Sequence, residues 1–293
     1  MRKKVLVTGA TGQLGRSFQD LEARHAGIEF TFADRAVLDL SVPGQVTQYL
    51  QSQRYDFIVN CAAHTAVDKA EQERELAEQI NHHAVAELAQ AAKDQGAYLI
   101  HVSTDYVFDG CHHKPYAEDH PTAPVNNYGQ SKLNGERALQ SSGANASIVR
   151  TSWVYSQHGN NFVKTMLRLG RERDALTVIA DQVGSPTYAG DLASAIMTLI
   201  ERQQSNPVAG CILWHYSNEG VCSWYDFAKA IFELAGIHCN VSPIETKDYP
   251  TPANRPHYSL LSKQKFKHNT GSSVPYWRDS LALCLHNIKD ENV

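Results

Sequence analysis

Val5-Leu6-Val7-Thr8-Gly9-Ala10-Thr11-Gly12-Gln13-Leu14-Gly15 reads as a short apolar strand running into three glycines spaced G-x-x-G-x-x-G. Residues 17–26 beyond it have a helical composition, giving the order strand, glycine turn, helix. In that order one glycine permits the tight turn, one lets backbone approach a pyrophosphate, and one lets helix pack on strand. The helix N-terminus then faces phosphates with free N–H groups and a favourable dipole. A glycine triplet alone fits an ordinary turn equally well, and the spacing departs from G-x-G-x-x-G. The rest of the chain has to decide.

Outward from the glycines, strands and helices alternate. The apolar segment 30–33 ends at Asp34-Arg35. An acid there is placed to accept hydrogen bonds from the adenosine ribose of NAD, whereas an arginine would pair with the 2′-phosphate of NADP. These neighbours argue in opposite directions, so use of NADPH or NADH is expected. Asp39-Leu40 follow in a loop from which a side chain reaches the adenine. Residues 46–51 read as a short helix. Residues 57–63 read as a buried strand ending in Ala62-Ala63, whose small side chains admit a flat ligand at the sheet edge. His64-Thr65 come next, and with no carboxylate nearby in sequence a positional role is expected for His64. Residues 71–95 form a helical layer by composition and periodicity. His82-His83 point different ways within it and do not make a metal pair. The next strand, 98–102, ends in Val102 and runs into Ser103-Thr104-Asp105.

Pro115, Pro121 and Pro124 make 109–127 a loop, with His112-His113 expected at its surface. Tyr128-Gly129-Gln130-Ser131-Lys132 then opens a helix to about residue 140. Tyr128 and Lys132 are i and i+4, so they share a face with Cβ atoms about 5–6 Å apart. The ammonium is expected to lower the phenol pKa from its usual value of ~10. Tyr128 then serves as a general acid at a ketone oxygen, with the Thr104 hydroxyl hydrogen-bonded to the same oxygen. A Y-x-x-x-K pair on a solvated helix is the plain alternative, and the upstream pattern weighs against it. Residues 147–155 form a further strand with an aromatic end at Trp153. Alternation at these spacings implies an α/β fold of the Rossmann type, a doubly wound parallel sheet with ligands at the strands' carboxyl ends. The glycine loop, Asp34, Ala62-Ala63, Thr104 and Trp153 all fall at such ends.

Residues 1–155 are expected to form this dinucleotide-binding domain. After Tyr155 the character changes: a basic helix through Arg173, a strand at 176–180, a polar turn at 181–187, and helices at 191–202 and 223–235 with Ser223 as cap. Residues 248–257 are a proline-rich loop carrying Arg255. Residues 156–293 are read mainly as a smaller α/β substrate-binding domain, with segments within about 185–217 returning to the main sheet. A chain of 293 residues suffices for both. A net charge of −4 argues against nucleic-acid binding and against docking on an anionic membrane. Six cysteines without a C-x-x-C pair read as reduced thiols. No apolar run approaches the ~18 residues of a membrane span, so a soluble cytoplasmic protein is expected.

Together the glycine triplet, Thr104 and Tyr128-x-x-x-Lys132 resemble the extended short-chain dehydrogenase/reductase family, and within it the sugar-nucleotide 4-ketoreductases. The strings VNCAAHTAVDKA (59–70), STDYVF (103–108), RTSWVY (150–155), NNFVKTMLRL (160–169) and YPTPANRP (249–256) carry the likeness over nearly the whole chain. Dehydratases of this superfamily read T-D-E, whereas Tyr106 stands at the third position here, which disfavours dehydration. The resemblance implies NAD(P)H-dependent reduction at C4 of a dTDP-4-keto-6-deoxy sugar. Thr104, Tyr128 and Lys132 would be catalytic. Gly9, Gly12, Gln13, Leu14, Gly15, Asp34, Arg35, Asp39, Leu40, Ala62, Ala63, His64, Thr65, Val102, Tyr128 and Lys132 would hold the cofactor. Thr104, Asp105, Trp153, Asn161, Gln182 and Arg255 would hold the dTDP-sugar, with Arg255 on its pyrophosphate. Some members pair as homodimers through Mg²⁺ held by glutamates. Here Arg16-Ser17 and Gly190-Asp191 stand in those stretches, so a homodimer stays open while no metal ligand carries across. Two other readings also stay open: a sugar-nucleotide epimerase with no net redox change, and a non-catalytic nucleotide-binding regulatory subunit.

Overall fold

A computed structural model describes residues 2–290. In chain order the first half comprises β1 (Lys3–Thr8), α1 (Gln13–Glu22), β2 (Ile28–Ala33), α2 (Gln45–Ser52), β3 (Phe57–Asn60), α3 (Val67–Ala70), α4 (Arg74–Glu78), a π-helical turn (Gln79–His83), α5 (Ala84–Gln95), β4 (Tyr98–Thr104), α6 (Asn127–Ser142) and β5 (Ala146–Thr151). The second half comprises β6 (Val154–Tyr155), α7 (Phe162–Glu172), β7 (Ala175–Ile179), β8 (Val183–Gly184), β9 (Thr187–Tyr188), α8 (Ala189–Ser205), β10 (Cys211–His215), β11 (Cys222–Ser223), α9 (Trp224–Ala235), β12 (Asn240–Ile244), α10 (Gln264–Thr270) and α11 (Trp277–Asp290).

Six strands form one parallel sheet in the order β10-β5-β4-β3-β1-β2. The chain leaves β1 for β2 on one side and resumes at β3 on the other. The crevice between β1 and β3 is therefore the topological switch point where such folds bind ligands. Strand periodicity sorts the core: Val5 and Val7 face α1 and α8, whereas Leu6 faces the layer of α2, α5 and α6. A fully buried side chain such as Phe18 stabilises this packing by roughly 1.5–3 kcal/mol. A separate core, including Val163, Phe227, Ile231 and Leu281, joins α7, α9 and α11 beside the β7–β12 pair. No helix among the described residues is long and apolar enough to cross a membrane.

Several elements differ from the sequence expectation. Helix α1 begins at Gln13, with Gly12 extended ahead of it, and ends at Glu22. The layer expected over 71–95 is broken, and its π-helical turn lets Asn81 bond the backbone of His64 from both sides and reach Ser131 Oγ. The strand expected over 147–155 stops at Thr151, because Trp153 adopts φ 48 and turns the chain. The polar turn at 181–187 contains two short strands, β8 against β11 and β9 against β6. His112 is half-buried against Tyr116 and His120 rather than free at the surface.

Candidate active site

The carboxyl ends of β1, β3, β4 and β5 open into a cleft of about 710 Å³. At its outer end the glycines do three separate jobs. Gly9 has φ +65, and a Cβ there would lie 2.8 Å from the Ala62 nitrogen, so only glycine brings the loop against β3's end. A Cβ on Gly15 would lie 2.4 Å from the Gly9 oxygen, so this glycine lets α1 seat on its own turn. Gly12 precedes α1, whose N-terminus carries no side-chain cap. Helices α2 and α8 also lack a side-chain cap, but the α1 N-terminus opens onto the cleft at Gly12, Gln13 and Leu14. The uncapped first-turn N–H groups of α1 are a ready-made phosphate site.

Most of the expected cofactor residues line this cleft: Gly9, Gly12, Gln13, Leu14, Arg35, Asp39, Leu40, Ala62, Ala63, Thr65, Val102, Tyr128 and Lys132. Asp34 is not on the wall, because its Oδ1 accepts from the Ala36 and Val37 N–H groups and closes its own turn. Asp39 is the acid on the wall, with Oδ2 held 3.0 Å from Arg35 Nε. His64 stands behind the wall, and here the expectation needs correction. A carboxylate does meet it, Glu73 Oε2 at 2.9 Å from Nε2, brought round by the turn between α3 and α4.

At the inner end, Tyr128, Thr104 and Asp105 are buried side by side. Gly129 is required for this: a Cβ would lie 2.2 Å from the Tyr106 oxygen, so its absence lets α6 close on the 105–107 turn. The electrostatics differ from expectation. Burial pushes the Tyr128 phenol up to about 12, the Thr104 hydroxyl pulls the other way, and Asp105 adds to the rise. Lys132 is not among the groups that shift it here. Its Nζ donates to the Val102 oxygen at 2.7 Å and sits 3.3 Å from His101 Nε2. Burial lowers the Lys132 ammonium to about 8, against the pull of Glu136. From His101 a buried chain crosses the sheet, with Nδ1 3.0 Å from Asn60 Nδ2 and Asn60 Oδ1 2.6 Å from Thr8 Oγ1. Burial, then Lys132, keeps that imidazole neutral. Burial likewise drives the Asp105 carboxyl up to about 7.

The remaining expected substrate residues divide between this cleft and a neighbouring hollow of about 850 Å³, with Trp224 bordering both. Trp153 lines the cleft and stacks on Trp224 at 3.7 Å, almost parallel. A Cβ on Gly184 would lie 3.0 Å from the Trp153 ring, so β8 must be bare beneath it. Asn161 also lines the cleft, but its side chain caps α7 and donates to Gln13 Oε1 at 3.0 Å. Gln182 and Arg255 line the second hollow. The Arg255 fork already pairs with Asp68 at 3.0 and 2.7 Å, joining the 249–256 loop to α3.

With this geometry in view, comparison with known proteins is decisive. The profile of the RmlD substrate binding domain family matches residues 2–289. The dTDP-4-dehydrorhamnose reductase of Escherichia coli (strain K12) is 44% identical over 293 residues, 97% of each chain. The chain belongs to the dTDP-4-dehydrorhamnose reductase family. A member of the family from Bacillus anthracis, solved in complex with NADP, superposes with a TM-score of 0.92 at 41% identity over 98% of this chain and 100% of that one. UDP-glucose 4-epimerase of Thermus thermophilus, solved with NAD, shares the fold at TM-score 0.80 and 21% identity, covering 98% and 99% of the two chains. Against this family background, reading the sequence missed Leu38, Gly159, Asn160 and Trp224 on the cleft wall, and His101 and Asn60 behind Lys132. His101 and Asn60 left a faint signal as polar residues inside apolar strand runs. Trp224 left none, since its position depends on how α9 packs against the Trp153 turn.

Proposed function

We propose that this protein uses NADPH or NADH to reduce the C4 ketone of dTDP-4-dehydro-L-rhamnose to dTDP-L-rhamnose, with Tyr128 as proton donor. One observation carries the reading in a chain of this family: a buried phenol, with Thr104 on the same wall, ends the same cleft that begins at an uncapped glycine-loop helix. The fit to a dinucleotide rests on those open N–H groups and on Gly9, where any side chain would collide with Ala62. Residues 1–155, with α8 and β10 packed onto them, hold the cofactor, and the lobe of α7, α9 and α11 closes over the sugar nucleotide.

Bound NAD(P)H supplies the hydride for the ketone carbon. Tyr128 holds the proton for the ketone oxygen, and Thr104 orients the phenol. The partial positive charge at the N-terminus of α6, within whose first turn Tyr128 lies, favours a developing phenolate. Lys132, fastened between Val102 and His101, keeps a fixed donor at the cleft wall for the nicotinamide ribose. Asp105 and Trp153 contact the sugar, while Gln182 and Arg255 reach its nucleotide from the second hollow. Tyr106 in place of a second acid supports reduction over dehydration.

The test is loss of NADPH or NADH absorbance with dTDP-4-dehydro-L-rhamnose, one equivalent per ketone. Tyr128→Phe is expected to lower turnover by about 10²–10⁴ while NADPH still binds. Turnover of a 4-keto sugar without net loss of NADPH points to an epimerase. Unchanged turnover in Tyr128→Phe removes the phenol from the reaction.

A further inference from the structure

We propose that His101 is a positioning residue for the reduction, acting through Lys132 by presenting an N–H group to its Nζ. This rests on the reductase reading and deepens it. Thr8, Asn60 and His101 stand opposite one another in register on β1, β3 and β4. Two residues earlier the same face carries Leu6, Ile58 and Leu99, all fully buried. Towards the cleft the row turns polar although it is just as buried. Aliphatic side chains would pack there equally well, and each buried polar group must find a partner. All of them do, and the row ends at Lys132.

The direction of these bonds follows from the chemistry of the groups. Thr8 Oγ1 lies 2.6 Å from Asn60 Oδ1, and of a hydroxyl and a carbonyl oxygen only the hydroxyl can donate. The NH₂ end of Asn60 is therefore the one 3.0 Å from His101 Nδ1, and that nitrogen accepts. A neutral imidazole with Nδ1 as acceptor carries its proton on Nε2. Nε2 lies 3.3 Å from Lys132 Nζ. An amine takes such an N–H on its lone pair, whereas an ammonium has three hydrogens and no acceptor.

His101 thereby turns the Lys132 lone pair towards the sheet. One Nζ hydrogen goes to the Val102 oxygen at 2.7 Å, and the other is left for the cleft that Lys132 lines. A hydrogen bond to the neutral form also disfavours the ammonium. The titratable groups around Lys132 are His101 from β4, Tyr128 one turn back along α6 and Glu136 one turn on, the last spent on Arg150 from β5. The far end of the row lies at the glycine turn. Thr8 Oγ1 accepts from the Ala62 N–H at 3.4 Å, and Ala62 is the residue that Gly9 approaches. The direction of Lys132 is thus referred to the loop that seats the cofactor.

Nitrogen NMR of isotope-labelled histidine in the NADPH-bound enzyme reads the tautomer. His101 is assigned by its absence from His101→Phe or, if that variant does not fold, from His101→Gln. The proton is expected on Nε2, and a proton on Nδ1 overturns the proposal. His101→Phe keeps a ring in the row and removes both nitrogens. Its turnover is expected to fall about tenfold, with the KM for the sugar nucleotide near wild type. The Lys132 ammonium is present below about 8 and lost above it. Without the facing N–H it is disfavoured less, so the alkaline fall in turnover should move up by at least about half a pH unit. Thr8→Val is isosteric and two strands away from Lys132. Either end of the Asn60 amide then meets a methyl group, so the ammonium decides: the amide turns, the proton moves to Nδ1, and a bare Nε2 accepts from Lys132. The tautomer should reverse, and the alkaline limb should again move up. A merely structural row would lower stability in denaturant and leave tautomer and limb unmoved, a result that overturns the proposal. A wild type that binds NADPH but never oxidises it with the ketone refutes the reductase reading itself, and the tautomer is measured without turnover. An active wild type with the proton on Nδ1 refutes only this role of His101.

Discussion

The two ends of the cleft are built by opposite means. The cofactor end is made of backbone: Gly9 against Ala62, Gly15 against Gly9, and α1 starting bare at Gly12. Its parts are consecutive strand ends, and what matters is where side chains are absent. The substrate end is made of side chains from distant segments, with Trp153 on Trp224 and Arg255 clasped by Asp68. The two arginine–carboxylate pairs sharpen the contrast. Arg150 and Glu136 are wholly buried between β5 and α6, whereas the Asp68 side chain in the other pair is 40% exposed. The Arg150–Glu136 pair is thus closed off from water, while the substrate end is held by contacts that water can weaken.

Substitutions at each end should therefore differ in kind. Gly15→Val places side-chain carbons where a Cβ alone would already be 2.4 Å from backbone, which cannot be relieved by a rotamer change. It is expected to abolish measurable NADPH binding in a fluorescence titration, and near-wild-type binding would mean α1 seats differently. Glu136→Ala leaves the Arg150 guanidinium buried without its paired carboxylate, with His215 Nε2 at 3.4 Å and the Phe108 ring 5.0 Å from its Cζ. Denaturant unfolding should register a loss of about 3–5 kcal/mol, the cost typical of orphaning a buried charge. Asp68→Asn should cost under ~1 kcal/mol in the same assay, because a half-exposed pair is screened by solvent. Its effect should appear instead as a changed KM for the sugar nucleotide. Arg255 holds the Asp68 carboxyl below the usual carboxylate range. The pair is thus fully formed above that range and is lost as pH falls through the lowered value, so wild type should acquire the mutant's KM only in strong acid. A KM indifferent to Asp68 would place the sugar nucleotide away from the second hollow.

Apolar runs, glycine spacing and the i, i+4 relation of Tyr128 and Lys132 are local properties, and they made the parallel sheet and most of the cofactor wall legible. Local reasoning failed where a residue's partner comes from elsewhere. Lys132 was read from its place beside Tyr128 alone. Sharing a helical face brings two side chains near, but does not say that His101 and a β4 carbonyl will claim the ammonium. The necessity of Gly129 shows only once Tyr106 lies against α6.

The amino-acid order by itself determined which segments became strands and helices, where the phosphate turn falls, and that a phenol and an amine would share a helical face. Periodicity and glycine freedom act within a few residues, so these are legible without any long-range contact. Only the tertiary structure decided the state of the reacting groups: the burial of Asp105, the neutral His101 behind Lys132, and the indole stack over Gly184. Desolvation and hydrogen-bond partnership are properties of three-dimensional neighbourhoods, and no spacing along a chain encodes them.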